Sequence, residues 1–219
     1  MRLLKSSLVI ALAAVFMLTL PLVASAQLIL TGVFDGPLTG GLPKGVEVYV
    51  ASDIADLSAF GLGSASNGGG TDGEQFTFPA EAAVAGTYLY VTGDPVGFEA
   101  FFGFPSTHED TGYGMSVNGD DAIELFHNGV VIDLLGLIDV DGSGEPWEYL
   151  DGWAYRNSNT GPDGDVFSLE SWSFSGINAF DGTFTNGEAD PAMPIGTFTM
   201  DAVSTTSMSF DSVKALFNN

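Results

Sequence analysis

The residues best suited to bind a metal ion lie in a short acidic stretch, DVDGSGE, in the second half of the chain. Oxygen-bearing side chains alternate there around two glycines: Asp139, Asp141, Ser143 and Glu145. Calcium takes several oxygen ligands from one tight turn, and D-x-D-x-S-G is how an EF-hand loop begins. The twelfth position, where an EF-hand needs a bidentate Glu, is Leu150. A calcium site and a solvated acidic turn are therefore both open, and no cofactor is required.

Aromatic side chains follow the acidic stretch in the run WEYLDGWAYR. If this run is one strand, alternation puts four of them on one face: Trp147, Tyr149, Trp153 and Tyr155. An exposed aromatic face beside carboxylates is typical of β-sandwich modules that stack on sugar rings. However, Asp151 and Gly152 favour a turn or bulge that divides the face, and buried aromatic rings supply much of any sandwich core. A sugar-binding platform and core packing both fit this run.

The arginine that ends the aromatic run, Arg156, is expected to form a structural ion pair, because the chain has 5 Lys and Arg against 28 Asp and Glu. Its expected partner is a carboxylate such as Glu124, Asp133 or Glu47, and the first two of these lie on the two arms of a predicted hairpin. The Asn-Gly pair of that hairpin predicts a type I′ turn, and counting outward places Glu124 opposite Asp133. Like charges facing each other destabilise a ladder. Either the register differs, or Arg156 or a cation lies between the two carboxylates.

The carboxylates beside Trp147 come nearest to a catalytic motif. Glu145 and Glu148 flank this residue, and two carboxylates about 5 to 10 Å apart can hydrolyse glycosides. With 28 acidic residues, such pairs are expected by chance. The motifs of serine hydrolases, P-loop proteins, dinucleotide-binding proteins and zinc proteases are absent, and two histidines are too few for a zinc site. The sequence therefore predicts that the protein is not an enzyme.

The N-terminal residues predict the compartment. Arg2 and Lys5 precede an apolar run over residues 8–20, and A-S-A at residues 24–26 is typical of a signal-peptidase site. We expect a signal peptide over residues 1–26, a protein secreted to the periplasm, the cell surface or the medium, and no membrane span after cleavage. The formal net charge of −23 disfavours nucleic-acid binding. With no cysteine, the exported chain must be held together by its core.

Strand-like runs recur between glycine-rich turns from residue 28 onward, for example LILTGVF, GVEVYVA and TYLYVTG. No window shows a long helical period, so the sequence predicts an all-β sandwich or barrel. The pattern ends near Phe198. We therefore expect a single β-sandwich domain over residues 27–198 and a C-terminal tail over residues 199–219.

Three segments, in this order, resemble the bacterial lamin-tail domain: KGVEVYVASDIADLSAFGL, FTFPAEAAVAGTYLYVT and NGDDAIELFHNGVVIDLLG. The resemblance covers about residues 28 to 198. It implies an immunoglobulin-like β-sandwich and a secreted, non-catalytic binding or structural module. The family often accompanies extracellular nucleases, but this chain lacks the basic residues that would contact phosphates.

Taken together, the sequence predicts a module that binds a protein or a surface polysaccharide and requires no cofactor, with stabilisation by calcium left open. The first alternative is a carbohydrate-binding module that uses the aromatic face of residues 147–155. A calcium-dependent glycoside hydrolase is the least favoured alternative.

Overall fold

The structure is a computed structural model that describes residues 27–201. The expected signal peptide, and the expected tail beyond Asp201, lie outside the described residues. Within residues 27–201, no helix has the length and apolar character needed to cross a membrane.

The described residues form ten strands, one α-helix and four short 3₁₀ turns. The strands are β1 (Leu28–Leu38), β2 (Leu42–Val50), β3 (Phe60–Ala65), β4 (Phe76–Thr77), β5 (Tyr88–Thr92), β6 (His108–Glu109), β7 (Ala122–His127), β8 (Val130–Leu135), β9 (Trp153–Arg156) and β10 (Trp172–Phe174). The helix is α1 (Pro95–Phe102). The 3₁₀ turns are Leu57–Ala59, Ser66–Gly68, Leu169–Ser171 and Asn186–Glu188.

The strands form two sheets that pack together, so the prediction of an all-β sandwich is confirmed. One sheet has six strands in the order β10-β9-β1-β2-β5-β6, and the other has four in the order β4-β3-β7-β8. All pairs are antiparallel except β5 with β6. The edge strands β4 and β6 have only two residues each, which leaves one side of the sandwich weakly closed.

Alternation along the strands sorts the side chains between two cores. Val46, Val48 and Val50 of β2 point into the core between the sheets, where they join Leu62 and Leu125 of the smaller sheet. This period of two is the pattern expected of a strand that buries one face. The intervening side chains of β2 lie on the outer face of the six-stranded sheet.

That outer face is also buried. A second core there combines Trp153 and Tyr155 of β9 with Phe98 and Phe101 of α1. It is completed by residues 189–200, which we call the C-terminal strap, with Phe198 fully buried. The larger sheet is therefore covered on both faces.

Helix α1 was not predicted, although its boundary signals are present in the sequence. Asp94 caps its first turn by accepting a hydrogen bond from the Gly97 N–H at 3.1 Å, and Pro95 occupies the first helical position. Gly103 ends the helix with a φ of 84°. The helix has eight residues, too few for a helical period to be visible in the sequence.

The hairpin of β7 and β8 has the predicted turn but not the predicted register. Asn128 and Gly129 have φ values of 51° and 74°, as a type I′ turn requires. An irregularity next to Leu125 then shifts the pairing, so that Glu124 faces Leu134 rather than Asp133. The expected opposition of two carboxylates is therefore wrong, because a bulge moves them apart.

The predicted ion pair of Arg156 is confirmed with Asp133 and is wrong for Glu124. Arg156 Nη2 lies 2.5 Å from Asp133 Oδ1, and both side chains are fully buried. Glu124 instead accepts a hydrogen bond from the Thr71 hydroxyl at 2.5 Å. The ion pair joins β9 of the larger sheet to β8 of the smaller one.

We expect Arg156→Met to lower the free energy of unfolding by about 3 to 5 kcal/mol, because the Asp133 carboxylate would stay buried without its ion-pair partner. Urea denaturation measures this loss. The matched control is Glu99→Gln, on an exposed side chain, for which we expect a change within about 0.5 kcal/mol. A loss below about 1 kcal/mol for Arg156→Met would contradict a linking role, since that value is typical of a surface ion pair.

Candidate binding cleft

A cleft of about 660 Å³ opens where the edge strands β4 and β6 approach each other. Its volume lies within the range of roughly 300–1,000 Å³ that is typical of small-molecule sites. The lining side chains include Phe76, Thr77, Glu81, His108, Glu109 and Thr111. Most of them are polar, and all belong to loops or to two-residue strands.

His108 is held rigidly in the cleft wall. Its Nε2 lies 2.8 Å from Glu81 Oε1, and its Nδ1 lies 2.9 Å from the hydroxyl oxygen of Thr107. The ring packs edge-on against Phe78, with the ring centroids 5.3 Å apart. Its side chain is 8% exposed, so these contacts fix its orientation.

The Thr107 hydroxyl, the His108 imidazole and the Glu81 carboxylate thus lie in a row, which is the order found in serine hydrolases. The hydroxyl, however, is already bound to the backbone. Thr107 Oγ1 accepts a hydrogen bond from the Tyr90 N–H at 2.7 Å and lies 3.1 Å from the Tyr90 carbonyl oxygen. These contacts attach β6 to β5. The row therefore positions a strand rather than presenting a free nucleophile.

Two carboxylates face the solvent in the cleft. The Glu81 side chain is 52% exposed, and Glu109 is also exposed. Asp110 lines the cleft as well, but its carboxylate accepts hydrogen bonds from the Gly112 and Met115 N–H groups. The cleft therefore offers the carboxylates of Glu81 and Glu109 to a ligand.

Sequence patterns did not predict this cleft. Its walls come from residues 75–81 and 107–112, which are far apart along the chain. The strands involved are too short to show a period of two. No motif in the sequence marks His108 as a site residue, and only its contact with Glu81 distinguishes it.

The prediction of an exposed aromatic platform is wrong. The four side chains are between 0% and 6% exposed: Trp147, Tyr149, Trp153 and Tyr155. Asp151, with a φ of 46°, interrupts the run, so only the last two of the four lie on strand β9. The C-terminal strap covers these two, and the Trp153 Nε1–H donates to the Pro191 carbonyl oxygen at 3.1 Å. Core packing is the interpretation that the burial supports.

The acidic stretch forms an exposed turn that its own hydrogen bonds order. Asp141 Oδ1 accepts a hydrogen bond from the Ser143 N–H at 2.9 Å, and this hydrogen bond lowers the pKa of the Asp141 carboxyl. The Ser143 hydroxyl donates to Asp120 Oδ2 at 2.9 Å. Within residues 27–201, no three acidic or histidine side chains are grouped so that they could hold a metal ion. Calcium binding stays a prediction for these residues: Asp139, Asp141, Ser143 and Glu145.

The carboxylates that flank Trp147 do not line the cleft. Glu148 Oε2 accepts a hydrogen bond from the Gly144 N–H at 2.8 Å, so this carboxylate closes the acidic turn. Glu145 is exposed on the same turn, and the ring between the two residues is buried. The pair therefore surrounds a core residue instead of a substrate-sized space.

Glu47, also expected as a partner of Arg156, is instead a buried carboxylate that binds three other groups. It lies on β2 and accepts hydrogen bonds from the Thr31 hydroxyl at 2.7 Å, the Tyr155 hydroxyl at 2.8 Å and the Gly196 N–H at 2.6 Å. Burial raises its pKa to about 7, against the opposing effect of these donors. Because Gly196 belongs to the C-terminal strap, Glu47 fastens the strap to the sheet.

Comparison with known proteins gives no relative: no family model, curated protein or solved structure matches the chain. The lamin-tail resemblance therefore rests on the quoted segments alone. It stays a prediction, as does the immunoglobulin-like character of the sandwich.

We expect the buried Glu47 carboxyl to make stability fall as the pH rises. Its pKa is about 7 in the folded state and near 4.5 when it is exposed, so the folded state holds a proton that the unfolded state releases between these values. Its contribution is fully present below pH 4.5 and is lost as the pH rises through about 7.

The pH dependence of urea denaturation tests this assignment. In Glu47→Gln, we expect the free energy of unfolding to vary less steeply across this window, by up to about 1.4 kcal/mol per pH unit. The amide would also face the Gly196 N–H, so a uniform loss of stability is expected, and the slope is the diagnostic quantity. Parallel curves for wild type and Glu47→Gln would contradict the assignment, and Glu99→Gln serves as the control.

Proposed function

We propose that this protein is a secreted, non-catalytic binding module of the lamin-tail type that recognises a protein or a surface polymer through the cleft beside His108. The observation that supports this most directly is the cleft itself. It combines a volume of about 660 Å³ with exposed hydrogen-bonding groups on fixed walls. Loops held by a rigid scaffold are where binding residues concentrate in β-sandwich proteins.

The chemistry of the walls favours binding over turnover. The Thr107 hydroxyl is engaged by the backbone of Tyr90, and Asp110 is engaged by backbone N–H groups. The Thr77 hydroxyl donates to Glu74 Oε1 at 2.5 Å. The groups that remain exposed are the Glu109 carboxylate and the Glu81 carboxylate, whose Oε1 contacts His108 Nε2. Such groups orient a ligand by hydrogen bonds and charge, and a preformed site lowers the entropic cost of binding.

In this proposal the module needs no cofactor, and calcium at the acidic turn would only add stability. A thermal melt in chelator and then in calcium, at constant ionic strength, tests this second point. Calcium bound at about 100 times its dissociation constant would contribute about 2.7 kcal/mol. A rise in the midpoint that Asp139→Ala with Asp141→Ala removes would assign the site, whereas coinciding curves would identify a solvated turn.

A cleft-filling variant tests the proposed function. Thr111 is exposed at the cleft, so we expect Thr111→Trp to fold normally and to occupy part of the space. Screening against a panel of peptides and glycans should find a ligand that wild type binds and that Thr111→Trp binds at least about tenfold more weakly, a loss of about 1.4 kcal/mol.

The matched control is Thr185→Trp, because Thr185 is equally exposed but does not line the cleft. It should bind like wild type. Unchanged binding in Thr111→Trp, or turnover of a glycan that Glu145→Gln or Glu148→Gln abolishes, would contradict the proposal.

A further inference from the structure

We infer that the cleft binds a Lys or Arg side chain carried by an extended segment of a protein partner. This inference rests on the proposed function and specifies its ligand. It is drawn from the charges of the cleft, from the aromatic ring at its wall and from the two strand edges that border it.

Among the described residues, the lining of the cleft carries more carboxylates than basic groups. Glu81 and Glu109 present exposed carboxylates, and His108 is the one nitrogen base among the lining side chains. Within residues 27–201, the sequence has two Lys and Arg residues, and both are used elsewhere. Lys44 pairs with Asp35 at 2.6 Å, and Arg156 pairs with Asp133. A cation from a partner would therefore meet the Glu109 carboxylate and the second oxygen of Glu81, whose Oε1 contacts His108 Nε2, without displacing Lys44 or Arg156 from its ion pair.

The wall of the cleft also suits a cation. Phe76 lines it and is only half-buried, so part of its ring faces the space beside the carboxylates. A Lys or Arg head group is attracted to an aromatic ring within about 6 Å of its centroid, and its aliphatic stem packs against apolar surface. Phe78 and His108 hold the Phe76 ring edge-on, with ring centroids 5.1 Å and 6.3 Å away.

The strand edges favour a peptide as the carrier of this cation. Among the strands of residues 27–201, β4 pairs only with β3 and β6 only with β5, so each has one side without a described neighbour. An extended segment can add main-chain hydrogen bonds at such an edge while its side chains enter adjacent pockets. An anionic surface polymer would be repelled by Glu81 and Glu109, and by the net charge of −23.

The experiment must separate the cleft from the general attraction of an acidic protein for any cation. The probe is a short synthetic peptide in which Lys alternates with Thr, and its counterpart carries Gln in place of Lys. Binding is measured by titration calorimetry at physiological salt, because this salt concentration screens the attraction between exposed charges beyond about 8 Å. We expect the Lys peptide, but not the Gln peptide, to bind.

Matched charge variants locate the binding. We expect Glu81→Gln with Glu109→Gln to weaken binding of the Lys peptide about tenfold, as the loss of two charge contacts implies. Glu99→Gln with Glu170→Gln removes the same charge from exposed positions outside the cleft, and should weaken it less than about twofold. Glu109→Gln alone keeps the contact between Glu81 and His108, and should give part of the loss.

Two results would overturn the inference. Equal losses in the two double variants would mean that only the overall charge attracts the peptide, and equal binding of the Gln peptide would mean that no cation is recognised. If a glycan binds in a manner sensitive to Thr111→Trp while the Lys peptide does not, this inference fails and the proposed function stands. If Thr111→Trp affects no ligand of the panel, the proposed function fails as well.

Discussion

Asp133 and Arg156 hold the two sheets in register because they form hydrogen bonds with the backbone N–H and carbonyl groups of Leu30. Strand β9 pairs with β1 only from Gly32 to Phe34, so the fully buried Leu30 lies beyond its reach. Asp133 Oδ2 accepts the Leu30 N–H at 3.0 Å, and the Arg156 Nε–H donates to the Leu30 carbonyl oxygen at 2.7 Å. A buried backbone group without a partner costs about 1 to 3 kcal/mol. The two charged side chains thus pair with each other and bind the backbone groups of Leu30, where the pairing of β9 with β1 has ended. These contacts offset the free-energy cost of burying the two charges.

The candidate cleft lies at the side of the sandwich and not on its faces, because the faces are covered. The strap and α1 cover the outer face of the larger sheet, and Glu47 fastens the strap there. On the smaller sheet, residues 73–74 lie directly over Gly61 and Gly63, where any Cβ would collide with them. With these faces covered, the short edges β4 and β6 leave the space from which the cleft is formed.

Local rules predicted the features that depend on neighbouring residues. The turn at Asn128, the alternation of β2 and the pairing of Arg156 with a buried carboxylate all follow from short patterns or from the scarcity of cations. Alternation also put Trp153 and Tyr155 on a common side of a strand, but it carries no information about what covers that side. The strap that buries them lies 34 to 47 residues further along the chain and has no strand pattern of its own. The cleft was unpredictable for the same reason.

The cleft shows how a site can look catalytic while its groups serve structure. The Thr107 hydroxyl accepts a hydrogen bond from the Tyr90 N–H, in the place of a backbone carbonyl. Asp110 accepts hydrogen bonds from N–H groups of the turn that follows it. Each of these hydrogen bonds occupies a hydroxyl or carboxylate group, and each fixes a wall of the cleft. What stays exposed is the Glu109 carboxylate and the Glu81 carboxylate, which contacts His108 through one of its oxygens. The proposed recognition of a ligand by complementarity depends on these exposed carboxylates and on the fixed walls that position them.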